Sequence, residues 1–199
     1  FCAGAGGKTL AIGATMRNTG RLYALDVSAH RLDALQPRLA RSGLSNVHPV
    51  GIALERDERL KRLKGKFDRV LVDAPCSGLG TLRRNPDLKW RQSPEDVAEL
   101  SAKQQAILES AARLLKPGGR LVYATCSLLP AENEAIAQAF SAAHADFEPL
   151  NVADILQSLK VPDAASLCAA EGDVPGQYLR LWPHRHATDG FFAAVWQRK

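Results

Sequence analysis

No apolar run in this 199-residue chain approaches the roughly 18 to 20 residues of a membrane-crossing helix. No signal-peptide pattern opens it, so the expected product is soluble and cytoplasmic, with no membrane partner. Its four cysteines, Cys2, Cys76, Cys126 and Cys168, lack the dense spacing of a disulfide scaffold, and reduced thiols are the expectation. Neither a Cys-x-x-Cys pair nor a Cys/His cluster of ligand spacing occurs, so there is no metal signature. His184 and His186 stand as an isolated pair. Internal repeats and low-complexity tracts are missing too. What is present is a chain of one-domain size with 46% hydrophobic residues, enough for a sizeable core.

The formal net charge is +5. This suits an acidic partner such as nucleic acid, although ordinary surfaces carry similar excesses.

Signals for strand and helix alternate along the chain. After the loop Gly4-Ala5-Gly6-Gly7, the segment from Lys8 to Arg17 is helical and Gly20 ends it before a strand, Arg21 to Asp26. Ser28 caps a helix that runs to about Ser42 and stops at Gly43, with Pro37 expected to kink or interrupt it. Val47 to Ile52 and Arg69 to Asp73 read as strands with a charged connection between them. Ser93-Pro94-Glu95-Asp96 has the cap, proline and acids of a helix start. Lys116-Pro117-Gly118-Gly119 is expected to end that helix, Arg120 to Thr125 to form a strand, and Pro130 to Glu134 to open another helix. Tyr178 to Trp182 and Phe191 to Trp196 read as an antiparallel pair. The pattern predicts an α/β fold: a mostly parallel, doubly wound sheet finished by an antiparallel hairpin, in one domain over 1–199. A glycine loop of this kind needs a strand before it. The expectation is therefore a fragment of a longer protein, without its first strand and an upstream RNA-binding region.

Cys76, in Asp73-Ala74-Pro75-Cys76-Ser77-Gly78, and Cys126, in Ala124-Thr125-Cys126-Ser127, each stand just past a β-branched strand. In an open parallel sheet the crevice beyond the carboxyl ends of the strands is where ligands bind. Two thiols there point to covalent catalysis, while either cysteine alone reads first as a small packing residue.

The loop Gly4-Ala5-Gly6-Gly7-Lys8-Thr9 admits three readings. A phosphate-binding P-loop of a nucleotidase would share its Gly-Lys-Thr ending and a following Val70-Leu71-Val72-Asp73 strand, but the first glycine falls at Cys2. A nicotinamide fingerprint fails at its third glycine, where Thr9 stands. The third reading is S-adenosylmethionine, with small residues admitting the cofactor and Asp26 at the end of the next strand for the ribose hydroxyls.

Taken together, Phe-Cys-Ala-Gly-Ala-Gly-Gly-Lys-Thr at 1–9, Asp-Ala-Pro-Cys-Ser-Gly at 73–78, Ala-Thr-Cys-Ser at 124–127 and Asp-Gly-Phe-Phe at 189–192 resemble the Sun/Fmu family of RNA cytosine-5 methyltransferases. The resemblance implies a Rossmann-like methyltransferase fold that uses S-adenosylmethionine. It implies that Cys2, Ala3, Gly4, Ala5, Gly6, Gly7 and Lys8 line the methionine end of the cofactor, that Asp26 holds the ribose, and that Asp73 touches both cofactor and base. Ala5 stands where family members often have proline. Val50-Gly51-Ile52 offers no acid for the adenine, which leaves Asp57 as the shifted candidate.

Carbon-5 of cytosine is a poor nucleophile until a thiolate adds at carbon-6, and a second base then helps remove the carbon-5 proton. The resemblance assigns attack to Cys126 and product release to Cys76; spacing alone leaves the order open. Asp73 reads either as a partner of the pyrimidine or as a brace for the turn before Pro75. Lys8 reads either as a catalytic orienter or as a solvated helix-start residue. The segment Arg83-Arg84-Asn85-Pro86-Asp87-Leu88-Lys89-Trp90-Arg91 offers four cations for RNA phosphates and one aromatic, Trp90, that stacks on a base or packs in the core. The implied substrate is RNA, ribosomal rather than transfer, acted on by a monomer. The rival class is a non-catalytic RNA-binding or ribosome-assembly factor.

Overall fold

A computed structural model of the chain describes residues 1–169 and 174–199. Two compact units are distinguished, Phe1–Arg62 and Leu63–Lys199. In the first, helix α1 (Gly7–Thr15) is followed by strand β1 (Leu22–Asp26), helix α2 (Ala29–Ser42), strand β2 (Val47–Gly51) and the short helix α3 (Glu58–Lys61). β1 and β2 pair in parallel, as the alternation predicts. α2 is amphipathic: Leu32, Leu35 and Leu39 recur on one face and bury against Ala24 of β1, with Ala3, Leu10 and Val47 packed around them. Each such leucine contributes roughly 2 kcal/mol of apolar burial. Ser28 Oγ accepts the Arg31 N–H at the start of α2, and Gly43 ends it at φ 71°.

Pro37 does not interrupt α2. It removes one N–H from the helix ladder, but Pro37 and Asp33, whose carbonyl loses that partner, lie on the exposed side. The unpaired carbonyl is therefore on the solvent side, and the buried leucines hold the helix together.

The second unit carries strand β3 (Phe67–Asp73), helices α4 (Leu88–Arg91) and α5 (Pro94–Ala112), strand β4 (Leu115–Thr125), helix α6 (Glu134–Ala143), strand β5 (Phe147–Leu150), helix α7 (Val152–Ser158), strand β6 (Leu179–Leu181), helix α8 (Pro183–His186) and strand β7 (Phe191–Arg198). β3 and β4 are parallel neighbours. β7 is antiparallel to β4 along one edge, and its other edge is shared: β6 pairs with its first residues and β5 with its last. The expected hairpin is therefore present, but β7 joins three strands. Its alternating large residues fill the core: Phe192 and Trp196 are fully buried, and Trp196 Nε1 donates to Ser141 Oγ at 2.9 Å while its ring meets Phe140.

Lys116-Pro117-Gly118-Gly119 does not end a helix as expected. It lies within β4, where pairing slips from Phe67↔Leu115 to Arg69↔Arg120. The extra residues bulge outward, and Gly118 supplies the φ of 75° that this excursion needs.

α5 begins with a complete capping box: Ser93 Oγ accepts the Asp96 N–H at 3.2 Å, and the Asp96 carboxylate accepts the Ser93 N–H at 2.9 Å. Those bonds hold the Asp96 carboxyl below its ordinary value, the Ser93 backbone bond foremost. The support of the box is thus present above the usual carboxylate range and lost as pH falls through the lowered value. Replacing Ser93 by Ala is expected to lower stability by about 1 kcal/mol in urea unfolding, with the difference from the parent shrinking in acid.

Candidate active site

The parallel register of β3 and β4 sets Asp73 opposite Ala124, so the segments that leave these strands emerge side by side. Ala74 N–H still donates to the Ala124 carbonyl at 2.9 Å. Two residues later on each segment come the cysteines, and their Sγ atoms lie 3.4 Å apart. The sequence had placed both thiols at strand ends; their mutual contact is the structural result.

Two thiols this close form a hydrogen bond in which either sulfur can donate. Cys76 is held protonated well above the ordinary thiol range: its hydrogen bond with Cys126 is the largest cause, followed by burial and by the negative charge of a Cys126 thiolate. The phenol of Tyr123 is also pushed up, first by burial and then by charge on Cys76 and Glu132. It remains a donor, and its OH reaches the Glu132 carbonyl at 2.6 Å.

Beneath the thiols lies a polar cluster sealed from solvent. Ser77, Gln104, Thr125, Ser127, Glu132 and Asn133 are all buried, Glu132 to 0% exposure. Glu132 closes the 3-10 turn Pro130–Glu132 that precedes α6. Its Oε1 accepts from Ser77 N–H at 2.8 Å and from Gln104 Nε2 at 3.0 Å. Its Oε2 accepts from both Ser77 Oγ and Ser127 Oγ. Asn133 continues the net, taking the Thr125 hydroxyl on Oδ1 and donating Nδ2 to the Ser127 carbonyl. The helix-opening pattern Pro130 to Glu134 marked these residues only as helix starters. Their paired serines, each following a cysteine, were the signal available for a shared partner.

The fourth motif acts through backbone. Gly80 N–H donates to the Cys126 carbonyl at 2.8 Å, and Gly190 N–H donates to the Gly80 carbonyl at 2.8 Å. A Cβ on Gly80 would lie 2.4 Å from Gly190 O and 2.6 Å from Cys126 O, so glycine is required by close approach. Arg84 pairs with Asp189 beside this contact.

Of the basic segment, Arg83, Arg84, Lys89, Trp90 and Arg91 are all exposed. Arg91 is paired with Asp87 at 2.7 Å. Trp90 is 81% exposed, with Lys89 Nζ 4.9 Å from its ring centre; the alternative of a core anchor is thereby excluded.

In the unit Phe1–Arg62, the glycine loop leaves room for a ligand at two positions and not at a third. A Cβ on Gly4 or Gly7 would meet nothing within 4 Å, whereas one on Gly6 would lie 2.1 Å from Leu35 Cδ1. Asp26, only 2% exposed, accepts Gly4 N–H at 2.7 Å and Ser28 N–H at 2.8 Å. Those two bonds tie Asp26 to the loop, one donor on each carboxylate oxygen. Asp57 caps α3, accepting the N–H groups of Ala53 and Arg59, and those bonds keep its carboxyl below the ordinary value, that from Ala53 foremost. Lys8 is exposed in the first turn of α1. Thr9, which a P-loop would present to magnesium, is buried. Cys2 takes a positive φ of 60° in the loop.

Among the described residues no group of three or more His, Cys, Asp or Glu could hold a metal ion, no helix is long and apolar enough to cross a membrane, and no cysteine is in a disulfide.

A family model described as 16S rRNA methyltransferase RsmB/F matches residues 1–197. A relative named probable ribosomal RNA small subunit methyltransferase B, from Bacillus subtilis (strain 168), is 37% identical over all of this chain and 42% of its own length. Ribosomal RNA small subunit methyltransferase F of Aeromonas salmonicida (strain A449) is 39% identical over 96% of this chain and 38% of its own length. The crystal structure of NSun6 from Pyrococcus horikoshii with SFG superposes with a TM-score of 0.77 at 28% identity, covering 98% of this chain and 46% of that one. The chain thus spans about two fifths of the length of the curated relatives it matches. Its fold is the Rossmann-like one of S-adenosylmethionine-dependent methyltransferases.

Replacing Cys126 by Ala removes the largest cause that keeps Cys76 protonated. The midpoint for Cys76 thiolate formation, followed by ultraviolet absorbance against pH, is expected to move down toward the ordinary range near about 8.5; an unchanged midpoint would show that burial alone sets it. Gly80→Ala is expected to destabilise by about 2 kcal/mol or more, since its neighbours are backbone atoms that cannot yield.

Proposed function

The chain belongs to the 16S rRNA methyltransferase RsmB/F family, and from that membership we propose that it transfers a methyl group from S-adenosylmethionine to carbon-5 of a cytosine in ribosomal RNA. The observation that carries the reading is the pair of thiols 3.4 Å apart with the proton held on Cys76. On this reading Cys126 is the attacking sulfur, with its neighbour Cys76 holding a proton 3.4 Å away, and Cys76 is the group nearest to manage the proton that must leave later.

In the proposed sequence, Cys126 Sγ bonds to carbon-6 of the cytosine and the ring electrons shift to make carbon-5 nucleophilic. S-adenosylmethionine, when bound, supplies the methyl group. Asp73, the last residue of β3, holds the pyrimidine at its ring nitrogen and amino group and stabilises the charge that develops there. Once Cys126 is bonded to carbon-6, the largest cause that holds the proton on Cys76 is gone; Cys76 gives that proton to solvent, takes the carbon-5 proton as a thiolate base, and the electrons return to expel Cys126 as its thiolate. The carbon–sulfur bond made first is the bond broken last, so the enzyme is regenerated.

For the cofactor, the open faces at Gly4 and Gly7 admit a close-lying ligand, and the stretch Cys2 to Lys8 is read as its methionine-end wall. Asp26, which fixes Gly4, is read as the holder of the ribose hydroxyls with its remaining acceptor capacity. Asp57, held in its turn, and Lys8, at the helix start, are kept as outer candidates for the adenine side and for orienting a catalytic acid. For RNA, Arg83, Arg84, Lys89 and Arg91 supply phosphate contacts and Trp90 a stacking face. The target base must be unpaired or flipped out to reach thiols at strand ends. The reaction is read as cytoplasmic and the protein as a monomer.

Mixing the protein with RNA and cofactor tests the chemistry. Cys76→Ala is expected to accumulate a protein–RNA adduct stable to denaturing electrophoresis, and Cys126→Ala to form none. The reverse pattern would exchange the roles, and no methyl transfer by the parent would favour a non-catalytic RNA-binding factor. Trp90→Ala is expected to weaken RNA binding roughly tenfold, the size of one lost base stack, while leaving unfolding unchanged because the side chain is exposed.

A further inference from the structure

We propose that Glu132 is the positioning residue that sets the separation of the two thiols. The proposal deepens the functional reading above and, for its catalytic consequence, rests on it. Ser77 and Ser127 each directly follow a cysteine, and both hydroxyls converge on Glu132 Oε2. The same carboxylate takes Ser77 N–H on Oε1 together with Gln104 Nε2, and that amide also donates to the Pro75 carbonyl at 2.9 Å. Glu132 therefore ties down the residue after each cysteine directly, and through Gln104 the residue before Cys76.

The donor arithmetic selects a carboxylate. Glu132 receives four donors, two on each oxygen, which fills the acceptor capacity of a carboxylate. Each serine hydroxyl has one proton, and with both aimed at Oε2 the 3.1 Å approach of the two Oγ atoms is a contact imposed by the shared acceptor. A glutamine with its nitrogen in place of Oε1 would face the Ser77 N–H and the Gln104 amide, both donors. With its nitrogen in place of Oε2 it would face hydroxyls that could turn to accept, but at least one of the two hydroxyl protons now on Oε2 would then lose its acceptor. Glutamine thus preserves one half of the clamp, and alanine preserves none. Since all of these groups are sealed from water, no solvent molecule stands ready to replace the lost acceptor.

Glu132 touches neither thiol in these bonds, so its effect is read through thiol geometry. The direct measure is the equilibrium of the protein with a glutathione buffer. One oxidised glutathione and the two protein thiols give a Cys76–Cys126 disulfide and two reduced glutathiones, and the balance yields the effective concentration of one thiol at the other. Peptide mapping identifies the bonded pair, and circular dichroism reports folding of each variant. Glu132→Ala is expected to lower the effective concentration by about tenfold or more, and Glu132→Gln by less. Phe147→Leu, a buried residue of β5 away from the clamp, is expected to destabilise the protein and leave that value unchanged. A folded Glu132→Gln and a folded Glu132→Ala that both keep the parent value would overturn the proposal. Should Glu132→Ala fail to fold, Glu132→Gln and the double variant Ser77→Ala/Ser127→Ala decide it, and parent-like values in both would overturn it.

In methyl transfer, the same substitutions are expected to lower kcat by about tenfold to a hundredfold with KM for RNA and cofactor little changed. If the parent shows no methyl transfer, the functional reading fails, while the glutathione equilibrium still tests the clamp.

Discussion

Parallel pairing of β3 with β4 is the constraint on which the candidate site depends. Parallel neighbours deliver their carboxyl ends to one side, and the register that places Asp73 beside Ala124 leaves the two cysteine segments to run on together. A one-residue slip would turn the alternating side chains of one strand to the other face. That slip is resisted by the buried residues of both strands, Val70 and Val72 on β3 and Leu121 and Tyr123 on β4. The hydrophobic pattern of two strands thereby sets where reactive sulfur emerges.

Beyond the strand ends backbone pairing no longer fixes the chain, and buried polar groups take over. Glu132 and Asn133 hold the two cysteine segments from below, while Gly80 and Gly190 hold the Cys126 segment through backbone bonds. Such a cluster is costly to desolvate unless every member is paired. Here the pairing is nearly complete, with Gln104 Oε1 the exception within it. The thiols sit on this paired base, which suits the proposed chemistry, where one sulfur attacks and its neighbour handles a proton.

Much of this was legible in the order of residues. The caps Ser28 and Ser93, the stop at Gly43, the strand stretches before both cysteines and the closing antiparallel pair are local signals, carried by residues a few positions apart. The errors have physical reasons of equal clarity. Pro37 points to a kink or an interruption because its missing bond is visible in sequence, whereas the leucine face that keeps α2 continuous acts through burial. Lys116 to Gly119 was read as a helix end because prolines and glycines punctuate; only the offset between β3 and β4 shows that they form a bulge within a strand. Trp90 could be read as core or surface, since aromatic character alone is silent on exposure.

The sequence by itself determined the kinds of element, their order and the four motifs that mark the family, because propensity, capping and motif identity are properties of short segments. Tertiary structure alone decided the 3.4 Å approach of Cys76 and Cys126, the gathering of Ser77 and Ser127 on Glu132, and the need for glycine at 80. These depend on residues roughly fifty or more positions apart meeting at atomic distance. No local pattern encodes such a distance; it is set by strand register and by the way a sealed polar cluster satisfies its donors.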